Sequence, residues 1–232
     1  MSPVRAATLV AALSFCATAA VTTPVTAQGA DASNALLARA MQRYGAARTV
    51  DISFTQVVSN PLTQHSLTSH GQLLRQRPNL LAVSFSSPAA DRIVDDGAVL
   101  WVYLPSSAPG QVLKLPSASA QGILLDPLGQ ILSTPLSDYT VTNGADATIA
   151  GRVTHAFTLV PHSTHALFTR AVVWVDDAGT VRQLEATEPS GLVRRVTVTQ
   201  FRTNVSLPRS AFRFTPPGGI RVVDQAGRVG TP

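Results

Sequence analysis

Past its first two dozen residues the 232-residue chain has no cysteine, a single lysine and no long apolar run, and only 13% of it is charged. The lone cysteine, Cys16, sits in an N-terminal apolar stretch, so disulfides and cysteine-based zinc sites are excluded for the rest of the chain. The lone lysine, Lys114, leaves the net charge of +5 to arginine. These arginines, among them Arg75, Arg92, Arg152, Arg170, Arg194, Arg195 and Arg221, are scattered without aromatic interleaving, which argues against nucleic acid as a partner. No Gly-x-Ser-x-Gly elbow and no His-Glu-x-x-His helix motif occurs, so the usual hydrolase and metalloprotease signatures are missing. The five histidines are dispersed over loops and one strand-like segment, and no metal site is expected.

What is present begins with Arg5 in a short charged start, followed by an apolar run from Ala6 to Val21 that is too short to span a bilayer. Small residues at Val25-Thr26-Ala27 suit a signal peptidase, so residues 1–27 are read as a signal peptide. Residues 28–232 suit one domain of ordinary size, stabilised by packing alone and expected to be monomeric.

From Asp31 to Tyr44, Leu36, Leu37, Ala40, Met41 and Tyr44 recur at helical spacing, with Asp31 or Ser33 as N-cap and Gly45 as a stop. The pattern then becomes β-like: Ile52–Ser59, Ser69–Arg75, Leu80–Ser86, Arg92–Val94, Leu100–Leu104 and Gln111–Leu115. Leu81, Val83 and Phe85 alternate with Ala82, Ser84 and Ser86, giving one apolar and one small or polar face. Helical spacing returns between Gln121 and Ser137 in Leu124, Leu125, Leu128, Ile131, Leu132 and Leu136, with Asp126-Pro127 as cap and first turn. Gly129 and Pro135 make that helix short. The pattern is β again in Tyr139–Thr142, Arg152–Val160, Phe168–Val175, Val181–Thr187, Leu192–Phe201 and Arg221–Val223. Asp95-Asp96-Gly97 and Asp176-Asp177-Ala178-Gly179 read as hairpin turns, not as a carboxylate dyad. The fold class expected is mainly β with α: an incomplete, half-open antiparallel β-barrel of about eleven strands, with short helices forming a lid.

Several fragments lie in one order: Phe54-Thr55-Gln56, then Gly71-Gln72-Leu73-Leu74-Arg75-Gln76-Arg77-Pro78-Asn79-Leu80, Asp95-Asp96-Gly97, Leu100-Trp101-Val102-Tyr103 and Phe212-Arg213-Phe214-Thr215-Pro216-Pro217-Gly218. As an ordered set they resemble the LolA family of periplasmic carriers of outer-membrane lipoproteins. The resemblance implies a non-enzymatic chaperone without catalytic residues or cofactors. It would shield lipoprotein acyl chains between an inner-membrane ABC releasing complex (LolCDE-like) and an outer-membrane acceptor (LolB-like). It also implies that Arg77 bonds backbone groups of the lid and holds the empty cavity shut. Phe54, Leu81, Val83, Phe85, Trp101, Leu125, Leu128, Ile131 and Leu132 are the candidate cavity lining. Where family members carry aromatic residues just after Arg-Pro, this chain has Leu81 and Val83. Two other roles fit the same fold: a periplasmic sensor of lipoproteins, or a carrier of another amphiphile such as a glycolipid.

Overall fold

The computed structural model describes residues 27–117 and 126–225, with side chains from Asn34 onward. Its first element is helix α1, Ala27–Ala46. The helix starts before the expected caps Asp31 and Ser33 and runs one residue past Gly45. Leu37, Ala40, Met41 and Tyr44 are its buried stripe, the i, i+3, i+4, i+7 positions that share one helix face.

Six strands follow, β1 (Thr49–Asn60), β2 (His65–Gln76), β3 (Leu80–Ser87), β4 (Ala89–Asp95), β5 (Val99–Tyr103) and β6 (Gln111–Pro116). Helix α2 is a short piece, Pro127–Leu132, followed by a 3-10 turn at Leu136–Asp138. The seven remaining strands are β7 (Tyr139–Asn143), β8 (Ala147–Ile149), β9 (Arg152–Pro161), β10 (Arg170–Asp176), β11 (Val181–Thr187), β12 (Val193–Thr203) and β13 (Arg221–Asp224). Leu124 and Leu125, expected in the second helix, lie outside the described residues.

All thirteen strands belong to one sheet, ordered β13-β6-β5-β4-β3-β2-β1-β12-β11-β10-β9-β7, with β8 on β9. The order does not close on itself, so the sheet is a half-open barrel. Neighbours are antiparallel except at one edge, where β13 returns to run parallel to β6. The short β8 was not expected from the sequence. β1 is the hinge of the order, pairing with β2 on one side and β12 on the other.

Register shifts at Ser53/Phe54, His70/Gly71 and Ser84/Ser86 bend β1, β2 and β3 where they adjoin. Gly71 is required there: a Cβ would fall 2.7 Å from the Ser84 carbonyl oxygen and 2.8 Å from the Phe54 ring. The absent side chain lets the Phe54 ring lie over β2.

The interior face gathers Ile52, Leu73, Val83, Ile93, Leu100, Leu159, Val173 and Leu184 against the buried stripe of α1. A smaller outer cluster joins Ala82, Val94 and Phe212, with Leu207 and Phe214 packed on it. The Phe212-to-Gly218 motif thus begins as a clasp on the outside of β3 and β4. Both Asp-Gly turns are hairpins whose carboxylates accept backbone N–H groups: Asp96 from Ala98 and Val99, and Asp176 from Thr180.

Candidate functional site

Between the interior face of β1 to β3 and α2 lies an enclosed apolar space walled by Ile52, Phe54, Leu73, Val83, Phe85 and Leu128. Phe54 and Phe85 meet edge to face, with ring centroids 5.9 Å apart. The space amounts to about 20 Å³, room for a single water. This space is therefore almost filled by its own walls.

The cover of this space is small and almost wholly apolar underneath: Leu128, Ile131 and Leu132 of α2 are each at most 3% exposed. Tyr139 Oη of β7 donates to the carbonyl of Ile131 at 3.5 Å, and three further polar groups meet at the start of the helix. Arg75 stands opposite Val50 in the β1–β2 ladder, two residues from Leu73 opposite Ile52, so the strand period turns its side chain inward. Its Nη1 donates to Tyr44 Oη of α1 at 3.0 Å and to Asp126 Oδ2 at 3.3 Å. Tyr44 Oη in turn donates to Asp126 Oδ2 at 2.9 Å. The guanidinium carbon also lies 5.4 Å from the centre of the Tyr44 ring. Asp126 is the N-cap of α2, its Oδ1 accepting from the Gly129 N–H at 2.7 Å. Sheet, long helix and short helix thus meet at one carboxylate.

Burial governs the electrostatics of this cluster. It pushes the Asp126 carboxyl above the usual carboxylate range, against the opposing pull of Arg75, the Gly129 N–H and the Tyr44 hydroxyl. Burial, and then the adjacent Asp126, push the Tyr44 hydroxyl well up, so it stays protonated and donates. Arg75 is raised: burial works against its charge, but Tyr44 and Asp126 outweigh it.

The expected lining residues divide by position. Phe54, Val83, Phe85 and Leu128 wall the enclosed space, while Leu81, Ile131 and Leu132 are buried in the same core. Trp101 corrects the expectation. It alternates with the buried Leu100 and with Val102, which face the interior, so its ring points outward and lies 5.8 Å from Phe214. Tyr103 shares that outer face, 5.7 Å from Phe214. Leu125 is outside the described residues.

Arg77 is exposed, and its Nε donates at 3.1 Å to the carbonyl of Ala47, one residue past the end of α1. With Met41, Leu132 and Pro135 it borders an open groove between α1 and the end of α2. Arg75, Tyr44 and Asp126 were not singled out as a set from the sequence. The parity of Arg75 with Leu73 on β2 was the available signal. Among the described residues, no three His, Cys, Asp or Glu side chains are placed to hold a metal.

Residues 45–215 match the family model described as "Outer membrane lipoprotein carrier protein LolA". The chain belongs to the LolA family. An outer-membrane lipoprotein carrier protein of Serratia proteamaculans (strain 568) is 28% identical over 198 residues, covering 84% of this chain and 92% of the relative. A second relative of that description, from Edwardsiella ictaluri (strain 93-146), is 31% identical over 173 residues, covering 75% of this chain and 79% of its own. An uncharacterized conserved protein of Thermus thermophilus shares the fold, with a TM-score of 0.51 at 11% identity over 84% of this chain and 99% of its own. The LolA match begins at the end of α1 and reaches the outer clasp, so it takes in the first twelve strands of the half-barrel and α2.

Proposed function

We propose that this LolA-family protein is a periplasmic chaperone that takes the acyl chains of lipoproteins into the space beneath α2. It would carry them as a monomer from an inner-membrane ABC releasing complex to an outer-membrane acceptor. Residues 1–27 would serve as the signal peptide and 28–232 as one carrier domain. The observation that carries this reading is the enclosed apolar interior, walled by Phe54, Val83, Phe85 and Leu128 and covered by a helix of only six residues. The acylated end of a lipoprotein bears tens of methylenes, each worth ~0.8 kcal/mol of burial, so an aqueous crossing needs such a shelter. A collapsed, apolar cavity supplies one without exposing a permanent greasy surface when empty.

No catalytic group is needed, since delivery follows from a difference in affinity between donor, carrier and acceptor. Aliphatic Leu81 and Val83 keep the walls greasy where other family members use aromatics. Arg77 would brace the end of α1 through the Ala47 carbonyl, steadying the frame against which α2 moves.

Native mass spectrometry of residues 28–232, recovered gently from the periplasm of a Gram-negative host, tests the reading. A one-to-one complex with an acylated lipoprotein, in a proportion altered by Arg77→Ala, is the expected result. Bound glycolipid alone would change the cargo, and a protein that stays empty after incubation with acylated peptide would contradict the carrier role.

A further inference from the structure

Opposite the apolar interior, the outer face of β1 to β4 carries an open trough of about 620 Å³, a size within the range of about 300–1,000 Å³ that small-molecule sites occupy. Its floor is a row of side chains in direct cross-strand register. Arg92 of β4 stands opposite Ser84 of β3, Ser84 opposite Gln72 of β2, and Gln72 opposite Ser53 of β1. Ser53, Gln72 and Ser84 alternate with the interior residues Ile52, Leu73 and Val83, so the row faces outward. Thr55 and His70, opposite each other in the β1–β2 ladder, form a shorter row beside it. The register shifts at Ser53/Phe54, His70/Gly71 and Ser84/Ser86 all fall along this trough. Such shifts bend strands and re-aim side chains, and the small side chains around them leave the space open.

Among the described residues, no carboxylate lines the trough, and Arg92 is exposed without a hydrogen-bond or ion-pair partner. Asp51, beside the trough, is already matched, since it accepts from Gln72 Nε2 at 2.7 Å and from Arg202. That bond fixes the Gln72 amide and leaves its Oε1 open as an acceptor. Thr55 Oγ1 lies 3.0 Å from His70 Nδ1, which orients the ring and leaves Nε2 open. The hydroxyls of Ser53 and Ser84 have no partner among the described residues, and each can both donate and accept. The Arg92 guanidinium offers the planar fork that suits a phosphate or carboxylate. Three strand spacings separate it from Ser53, roughly 14 Å, a row too long for one small anion to occupy.

We propose that this trough binds an extended polyol or sugar that carries one anionic group, with the anion on Arg92 and the hydroxyls along Ser84, Gln72 and Ser53. The site does not depend on the carrier reading, although Phe54 and Phe85 border both the trough and the enclosed apolar space. A soluble sugar phosphate and the headgroup of an anionic lipid share this chemistry.

Amide NMR spectra recorded with trehalose 6-phosphate, trehalose and inorganic phosphate test the site, together with flotation of the protein on phosphatidylcholine vesicles that carry phosphatidylinositol. Trehalose 6-phosphate should shift amides of β1 to β4 around the trough and bind about tenfold or more tightly than trehalose or phosphate alone. Arg92→Ala should weaken it about 10- to 100-fold, the range for hydrogen bonds to charged groups. Ser84→Val, a substitution that suits a strand, should weaken it by about two- to tenfold. Response to the sugar phosphate without flotation assigns the site to a soluble ligand. Flotation that Arg92→Ala abolishes, without response to the sugar phosphate, assigns it to a lipid headgroup. Equal affinity for inorganic phosphate and trehalose 6-phosphate would reduce the trough to an exposed arginine and overturn the proposal. Binding unaffected by Arg92→Ala, or no response to either the sugar phosphate or the vesicles, would overturn it as well.

Discussion

The two sides of the sheet interior are built from the same alternation and differ in how they are covered. On the β9 to β12 side, Leu159, Val173, Val175, Leu184 and Ala186 are at most 1% exposed, and α1, twenty residues long, lies beside β10 with Leu37 and Tyr44 fully buried. On the β3 to β6 side, Phe85, Val102, Leu104 and Leu115 are only partly buried in the same core, and α2, whose Leu128 shares a space with Val83 and Phe85 of β3, has six residues. One side is closed by area, the other by a few residues and a polar anchor. Apolar burial scales with the area covered, so under the proposed carrier role the first side would behave as a permanent core and the second as one that exchanges its cover for a ligand.

Truncations should separate the two most strongly. Leu184→Ala empties a site with no route for relaxation and is expected to cost ~2–5 kcal/mol of global stability in urea unfolding. Ile131→Ala removes a side chain just as buried, from α2. If α2 opens without the sheet, as proposed, its global cost should be well under half as large, with the loss appearing instead in acyl-peptide retention. Equal midpoints for the two variants would make α2 part of the permanent core.

A smaller effect should appear with pH at the rim of the permanent side. His155 lies between Asp177, 2.9 Å from its Nε2, and Asp146, 3.1 Å from its Nδ1. The hydrogen bond to Asp177 raises its pKa above the ordinary histidine value; burial opposes this, and the hydrogen bond to Asp146 adds to the rise. A raised folded-state value means that the stabilisation is complete below the unfolded pKa of about 6.5. It is lost as pH rises through the folded value. NMR titration of the His155 ring should give a pKa above the ordinary histidine value, and His155→Gln should flatten this part of the stability profile. A pKa at or below the ordinary value would remove His155 as a brace. The exposure of the pair keeps the effect small.

Much of the fold was legible because its strands obey a period of two between Gly, Pro and Asp turns. The helix stripe from Leu37 to Tyr44 was equally plain. β8 escaped because Ala147-Thr148-Ile149 is too short to show alternation, and the parallel return of β13 has no local signature. The site was legible in its apolar walls, misleading at Trp101 and silent on Arg75. The size of Trp101 suggests an inward place, although its parity with Tyr103, opposite to Leu100, sends it to the outer face. The Arg-Pro pattern draws attention to Arg77, while Arg75, an arginine on the greasy face of β2, blends into the scattered charge. Tyr44 and Asp126 have ordinary local explanations, a helix stripe and a cap, and only the fold brings them within hydrogen-bond reach of Arg75.

Hydrogen exchange on the wild-type protein distinguishes an interior with one permanent and one openable side from an interior that is permanent throughout. With an openable side, the amides of Gln130, Ile131 and Leu132 exchange through local opening, far faster than those of Val173 and Leu184, and an acylated peptide changes the first set and leaves the second untouched. Protection of α2 equal to that of β10 and β11, with no response to the peptide, would mean that α2 closes a single permanent core.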